Sequence, residues 1–557
     1  MRISVVSPHR ILGGGETSLR TIMAHLPQHT FKVVYAQDHE RHYGVCDYRQ
    51  APNVSVERMH GLRDQLVDFA PDVVLFYGSA TPYVLQALRP RSPVSATVEH
   101  PAMPRLVYLG KTSDYQGCYR WFDLARDRID AAIANSPQIG LGLADRNGDD
   151  GPPLWVIPNG VDRQIFRPPL QSSVFNLQSS IRVGYVGRIA GGKGLEYLAR
   201  ICEGSGLAAI VAGPMKRPSF WEQVQQQCVT SHVPLTYYPP AQYPVEAYQA
   251  MDVLLLLSQR EGCPNAVIEA AACGVPTIAT RVGCLPDYWT DQENIWFVDE
   301  QLESRDVLAR LQEDPDEYER VAQGALAMAG QFCASKAAAR YDRVLTGLVE
   351  GRKLPATGYV LGRAGGHGDV VCAEPLLREL TYRDVPNLLY TQTDLGAAMP
   401  RRYRPLDADR PVRLTYRVPG RHICDQFMRQ LRLEMGERPK LLTSGTYRGR
   451  GTIGLHVDVK KPHKRWPVDR WLDLAAGLVG AGHDVVQVDH GPRLDDTIAH
   501  SEKCSLAGYV EVVAGLELLI CPEGFPHHVA HAVDTPAVVL WPGSAWRSLS
   551  DYGDQSV

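Results

Sequence analysis

Short apolar runs, each bounded by sequence with helical spacing, recur along the first 350 residues. ISVVS (3–7), FKVVYA (31–36) and PDVVLFYG (71–78) are rich in β-branched and aromatic residues, and a helix is expected from about Ser18. That alternation predicts a parallel sheet with crossover helices. Further strands are expected at SPVSATVEH (92–100) and DAAIANS (130–136), and LWVIPNGVD (154–162) closes the half. FRPP and the polar QSSVFNLQSS then read as a linker, which places a boundary near residue 170.

The pattern restarts at IRVGYVGRI (181–189) and runs through AAIVAG, VPLTYYP and DVLLLLS to a helix beginning near Asn265. After GVPTIATRVG and IWFVDE, a long helical region reaches about Glu350. A third restart follows GRKLPATG: YVLGRAGGHGDVV (359–371) runs strand, glycine turn, helix, and TIGLHV, DVVQVDH, LELLICPEG and AVVLWPG have the character of one more Rossmann-like half. The expected fold class is α/β, with two facing Rossmann-like domains (1–168 and 169–352) and a C-terminal Rossmann-like module (353–557). Ligands of open parallel sheets sit at the carboxyl ends of the strands, so a site is expected in the cleft between the first two domains.

Composition narrows the class without naming a chemistry. The chain of 557 residues is 44% hydrophobic and 22% charged, near globular averages. A formal charge of −4 gives no general attraction to nucleic acid or anionic membrane. No apolar run approaches the roughly 20 residues of a membrane span, and MRISVVSPHR lacks the features of a signal peptide, so a cytoplasmic location is expected. Twelve cysteines without a CxxC pair read as reduced thiols rather than disulfides or zinc ligands.

Three segments carry candidate chemistry. GGGETS (13–18) follows the first strand and opens a helix; its glycines permit positive torsions and close ligand approach, and the helix start offers free amides to an anion or sugar oxygen. VGRIAGGKG (186–194) places Arg188 and Lys193 beside glycines just past a strand, where a planar fork and a mobile point charge suit a diphosphate. SQREGCPNAVIEAAACGVPTIAT sets Glu261 in a loop at a strand's end and Glu269 about one turn into the next helix. The first carboxylate would face a sugar and the second would accept from a ribose diol, while amides around Cys263 and Asn265 open towards the phosphates. The Asp-x-Asp of Asp407 and Asp409 lies far from these motifs and reads as coincidence, so no metal site is expected.

With these motifs in this order and spacing, together with VIPNGVD and VGCLPD, residues 1 to about 350 resemble the family 4 retaining glycosyltransferases of GT-B fold. The resemblance implies transfer of a sugar from a nucleoside diphosphate sugar to an acceptor hydroxyl, with no cofactor or metal. It implies Gly14 and Gly15 beside the donor phosphate and sugar, Arg188 and Lys193 as diphosphate clamp, Glu261 on the donor sugar, Asn265 near the phosphates and Glu269 on the ribose. It also implies a catalytic histidine at His100. A non-catalytic carbohydrate- or nucleotide-binding scaffold and a nucleotide-sugar epimerase are the alternatives, and the acceptor stays open among glycan, lipid-linked glycan, protein and modified nucleic acid. Residues from about 356 to the C-terminus resemble a shortened family 9, heptosyltransferase-like module through GRAGGHGDVV, HKRWPVDRW and CPEGFPHHVAHAVDTPAVVLWPG. That resemblance implies Asp369 as base, Lys464 on donor phosphate and a retained His527. Pro522, Glu523 and Gly524 replace the family's Asp-Thr-Gly, which leaves the module open between a degenerate acceptor-binding or structural domain and a second active transferase.

Overall fold

The computed structural model describes residues 1–37, 45–88, 103–111, 115–148, 151–169, 181–215, 217–363, 367–391, 399, 402–414, 423–431, 433, 439–441, 443, 451–459, 464–501 and 504–541. The chain divides into two compact units, residues 1–356 with 409–411, and residues 357–408 with 412–557.

The first unit holds two parallel sheets. One has seven strands: β1 (Arg2–His9), β2 (Thr30–Gln37), β3 (Val54–Arg58), β4 (Val73–Phe76), β5 (Arg105–Gly110), β6 (Ala131–Ala134) and β7 (Leu154–Val156), in the order β3-β2-β1-β4-β5-β6-β7. The second has β8 (Arg182–Val186), β9 (Ala208–Ala212), β10 (Leu235–Tyr238), β11 (Val253–Leu256), β12 (Thr277–Thr280) and β13 (Trp296–Val298), in the order β10-β9-β8-β11-β12-β13. Their central strands are nearly continuous apolar runs, as sheets covered on both faces require; Val73–Phe76 and Val253–Leu256 are buried at every position. In both sheets the strand order reverses beside the first strand, between β1 and β4 and between β8 and β11, and a crevice opens at the carboxyl ends there.

The place between β4 and β6 is filled by Arg105–Gly110. The strand expected at 92–100 lies outside the described residues, as does His100. The glycine turn also differs from expectation. The first helix starts at Gly14, four residues earlier than Ser18, with Gly13 in extended backbone (φ −141°). None of Gly13, Gly14 and Gly15 has a positive φ, and a Cβ on Gly14 or Gly15 would meet nothing within 4 Å. Glycine leaves open space over the helix start there and does not supply an unusual torsion.

The helix Ala334–Val349 returns to the first sheet. Ala337, Ala338, Tyr341, Val344 and Leu345, spaced to share one helical face, join the core formed by Ile3, Val5, Val33 and Leu75. Burial of side chains such as Tyr341 and Leu345 stabilises this return by about 1.5–3 kcal/mol each.

The second unit carries a four-stranded sheet of β14 (Tyr359–Arg363), β15 (Asn387–Thr391), β16 (Arg402–Tyr403) and β17 (Arg410–Arg413), ordered β16-β15-β14-β17. Its five-stranded sheet has β18 (Thr452–Leu455), β19 (Asp484–Gln487), β20 (Ala499–His500), β21 (Leu518–Pro522) and β22 (Ala537–Leu540), ordered β20-β19-β18-β21-β22. The single extra half read from sequence is thus two sheets. All twelve cysteines are free thiols and ten are buried. Among the described residues no helix is long and apolar enough to cross a membrane.

Candidate functional site

A groove opens at the reversal points of the first unit's two sheets. It holds some 970 Å³ of atom-free space, counting the part open to solvent, and Gly14, Arg188, Lys193, Glu261, Asn265 and Glu269 line it together. Residues separated by more than 250 positions therefore meet where two bases and two acids were expected to converge. Gly15 does not line the groove.

Lys193 and Arg188 stand on the loop leaving β8. Gly194 holds that loop tightly: its φ is +85°, and a Cβ there would lie 2.4 Å from the Leu257 Cβ. Lys193 Nζ donates to Glu261 Oε1 at 2.7 Å, tying this loop to the one that leaves β11. An ammonium has three donors, so Lys193 can hold Glu261 and still meet a phosphate oxygen. Arg188 is exposed, its backbone carbonyl fixed by the Tyr185 hydroxyl at 2.7 Å.

The helix Asn265–Ala272 begins after Pro264, and no side chain caps it. Pro264, Asn265 and Ala266 all line the groove, so the amides of a helix N-terminus open towards it and suit an anion. Glu269 follows on this helix and is 9% exposed. The Tyr248 hydroxyl donates to its Oε2 at 2.8 Å. Burial pushes the Glu269 carboxyl up to about 7, opposed by the Tyr248 hydrogen bond and the charge of Arg20.

Sequence reasoning missed four residues here. Asn159, within the quoted VIPNGVD, is 5% exposed; it accepts from Ser18 at 2.8 Å and donates to the Cys263 carbonyl at 2.9 Å and to Asn265 Oδ1 at 2.7 Å. Asn265 in turn donates to the Gly14 carbonyl at 3.1 Å, so the two halves are stitched across the groove. Arg20 and Gln242 make a second stitch, and neither belongs to any local motif. Lys111, at the carboxyl end of β5, has an enclosed Nζ without a hydrogen-bond partner among the described residues. Burial brings its amine down to about 8, opposed by Cys263 and Glu16. Its carbonyl would lie 2.8 Å from a Cβ on Gly262, so glycine there lets the two backbones approach.

In the second unit, Lys464, part-buried, pairs with the buried Glu523. His527 Nδ1 accepts from Gly524 N at 3.1 Å, and the His527 and His528 rings lie 4.0 Å apart, tilted by 36°. Glu523, His527 and His528 form the one cluster of metal-ligating type among the described residues, but the Lys464 ammonium already stands on its carboxylate. The helix His367–Val371, which carries Asp369, packs against the helix Phe525–Ala532. Asp407 and Asp409 are engaged separately, by Arg404 and Arg343, each at 3.3 Å.

Residues 12–165 match the family Glycosyltransferase Family 4, residues 172–328 match Glycosyl transferases group 1, and residues 421–555 match Glycosyltransferase family 9 (heptosyltransferase). The chain resembles glycosyltransferases of two kinds. A D-inositol 3-phosphate glycosyltransferase of Xylanimonas cellulosilytica is 28% identical over 230 residues, covering 38% of this chain and 55% of that protein. Its counterpart in Thermobispora bispora is 30% identical over 246 residues, covering 40% and 57%. The chain spans about half the length of the curated relatives it matches. Among solved structures, HepE of Anabaena in complex with UDP and glucose aligns with a TM-score of 0.52 at 18% identity, over 62% of this chain and 99% of that one. Sucrose-phosphate synthase of Thermosynechococcus elongatus aligns with a TM-score of 0.51 at 16% identity, over 63% of this chain and all of that one. The fold of this glycosyltransferase-like region is GT-B.

Proposed function

We propose that residues 1–356 form a glycosyltransferase that moves a hexose from a nucleoside diphosphate sugar to an acceptor hydroxyl with retention of configuration. The convergence of Arg188, Lys193, Glu261 and Glu269 with an uncapped helix N-terminus in one groove carries this reading. Glu269 accepts from the ribose hydroxyls, Glu261 holds the sugar, and the two cations with the helix amides hold the diphosphate. The acceptor oxygen attacks the anomeric carbon from the face the leaving group departs. As that carbon–oxygen bond breaks, a phosphate oxygen of the leaving nucleotide takes the acceptor's proton, and Arg188 and Lys193 balance the charge it gains. The UDP and glucose held by HepE make uridine nucleotides the first donors to try.

Incubation with a panel of nucleotide sugars, reading release of nucleoside diphosphate, tests the proposal. Turnover is expected from the wild type and is expected to vanish in Lys193→Ala and Glu261→Ala proteins with unaltered melting. Retained turnover in either variant refutes the assignment. The second unit is read as a degenerate module, because Pro522, Glu523 and Gly524 stand where the family it resembles has Asp-Thr-Gly.

A further inference from the structure

Arg20 lies on the helix Gly14–Ala24 and is only 1% exposed. A buried guanidinium is costly unless its donors are satisfied, and both terminal nitrogens of this one serve a single residue of the second half, Gln242. Nη1 donates to Gln242 Oε1, and Nη2 donates to the Gln242 carbonyl at 2.7 Å. The first half holds the same residue twice more: Asp47 N donates to Oε1 at 2.9 Å, and Gln242 Nε2 donates to the Val45 carbonyl. Both lone pairs of Oε1 are therefore taken and one amide hydrogen remains, so the side chain has little left to offer a ligand. The guanidinium also lies 4.3 Å from the centre of the Tyr243 ring, which meets Phe166 edge-on at 6.1 Å.

Gln242 belongs to the loop leaving β10, and Ala241, Gln242 and Pro244 line the groove. The strand order β10-β9-β8-β11 decides which part of a donor this loop would meet. Loops leaving β8 and β11 carry Arg188, Lys193 and Glu261, and the helix after β11 carries Glu269. A diphosphate held there, with its ribose on Glu269, sends the base towards the loops leaving β9 and β10. Those loops give the groove Gly213, Pro214, Ala241, Gln242 and Pro244. With Gln242 engaged elsewhere, this end offers a heterocycle apolar contact and backbone groups instead of side-chain hydrogen bonds.

We propose that Arg20 is a positioning residue that acts through Gln242, fixing the wall Ala241–Pro244 against which the nucleobase of the donor packs. The proposal rests on the reading of the groove as a nucleoside diphosphate sugar site. Gln242 fastens this wall and does not read the base, so selection among bases falls to the shape of the wall and to its backbone groups. Lysine is no substitute for Arg20, because an ammonium lacks the planar fork that spans Gln242 Oε1 and the Gln242 carbonyl.

Calorimetric binding of UDP, GDP and inorganic pyrophosphate to the full chain tests this, with wild type, Gln242→Ala, Arg20→Lys and the double variant. Pyrophosphate reports the diphosphate seat alone, whereas the nucleotides add ribose and base. UDP affinity is expected to fall about tenfold in each single variant, as loss of hydrogen bonds to a charged group implies, while pyrophosphate binds as to wild type. In the double variant the two losses are expected not to add, because either change undoes the same fastening. Wild-type UDP affinity in a folded single variant overturns the proposal, and so does an equal loss for pyrophosphate, which marks a general disturbance of the fold. Should Arg20→Lys fail to fold, Gln242→Ala decides by the same two criteria. A change of preference between UDP and GDP in Gln242→Ala that Arg20→Lys does not share makes Gln242 a base reader and also overturns it. A wild type that binds none of the three ligands refutes the donor reading itself.

Discussion

Donor affinity in this groove is expected to depend on pH through Glu269. Burial pushes its carboxyl from 4.5 up to about 7, against the Tyr248 hydroxyl and Arg20. Ribose hydroxyls donate, so they select the ionised carboxylate, and donor binding releases a proton wherever the free protein holds one. The ionised fraction climbs from about one-tenth at pH 6 to about nine-tenths at pH 8, so the apparent Kd falls about tenfold, or ~1.4 kcal/mol. Calorimetric titration with an intact nucleotide sugar, whose esterified phosphates do not titrate in this range, reads the effect directly. Two buffers of different ionisation heat count the proton, about half of one at pH 7. Glu269→Gln keeps a partner for Tyr248, removes the titration and is expected to bind more weakly with no slope. The folded-state value lies above the unfolded one, so the stability this carboxyl contributes is present in acid and lost as pH rises through 7. Glu269→Gln is therefore more stable than wild type at pH 8, by up to about 3 kcal/mol. Affinity that stays flat between pH 6 and 8, with the variant binding as tightly as wild type, refutes the ribose assignment.

Four further outcomes are expected. Lys111→Met raises the melting temperature at pH 7, because an amine brought down to about 8 from 10.5 opposes folding while charged, and the gain shrinks as pH rises from 8 towards 10.5; a lower melting temperature at pH 7 contradicts this. Glu523→Ala leaves the part-buried Lys464 without its carboxylate and is expected to cost the second unit up to about 3 kcal/mol, offset by inorganic phosphate; an equal phosphate effect on the wild type's melting argues against an anion seat. Gly194→Ala forces a Cβ to within 2.4 Å of Leu257 at a φ of +85°, and nucleotide-sugar turnover is expected to fall at least tenfold as the Lys193 loop shifts; wild-type kinetics would show that this loop does not set the clamp. Turnover is expected to survive chelation by EDTA, since Arg188 and Lys193 carry the charge compensation, and an EDTA-sensitive rate restored by magnesium would contradict that.

Strands such as β2 and β11 were legible because the β-branched and apolar runs FKVVYA and DVLLLLS admit few other readings, whereas β3 (Val54–Arg58) and β5 (Arg105–Gly110) were not read from the sequence. The helix from Asn265 was legible because Pro264 marks its start. What sequence missed depends on meetings between distant residues. Arg20 has no informative neighbours in the chain; only the fold puts Gln242 against it. Lys111 escaped because a lysine after an apolar strand looks like any solvated base until the opposing Gly262 loop covers it. Asn159 sat inside a quoted motif, but its role as a bridge to Asn265 needs both halves in place. Glu523 was visible as a departure from a family pattern, whereas its pairing with Lys464 required the strand β21 and the Lys464 loop to be brought together.

A structure of the chain with an intact nucleotide sugar tests the central claim most directly. It is predicted to show the diphosphate between Arg188, Lys193 and the amides that open the helix Asn265–Ala272, with both ribose hydroxyls on Glu269 and the sugar against Glu261. A nucleotide found only in the second unit, or bound in the first without touching Lys193 and Glu269, contradicts the account.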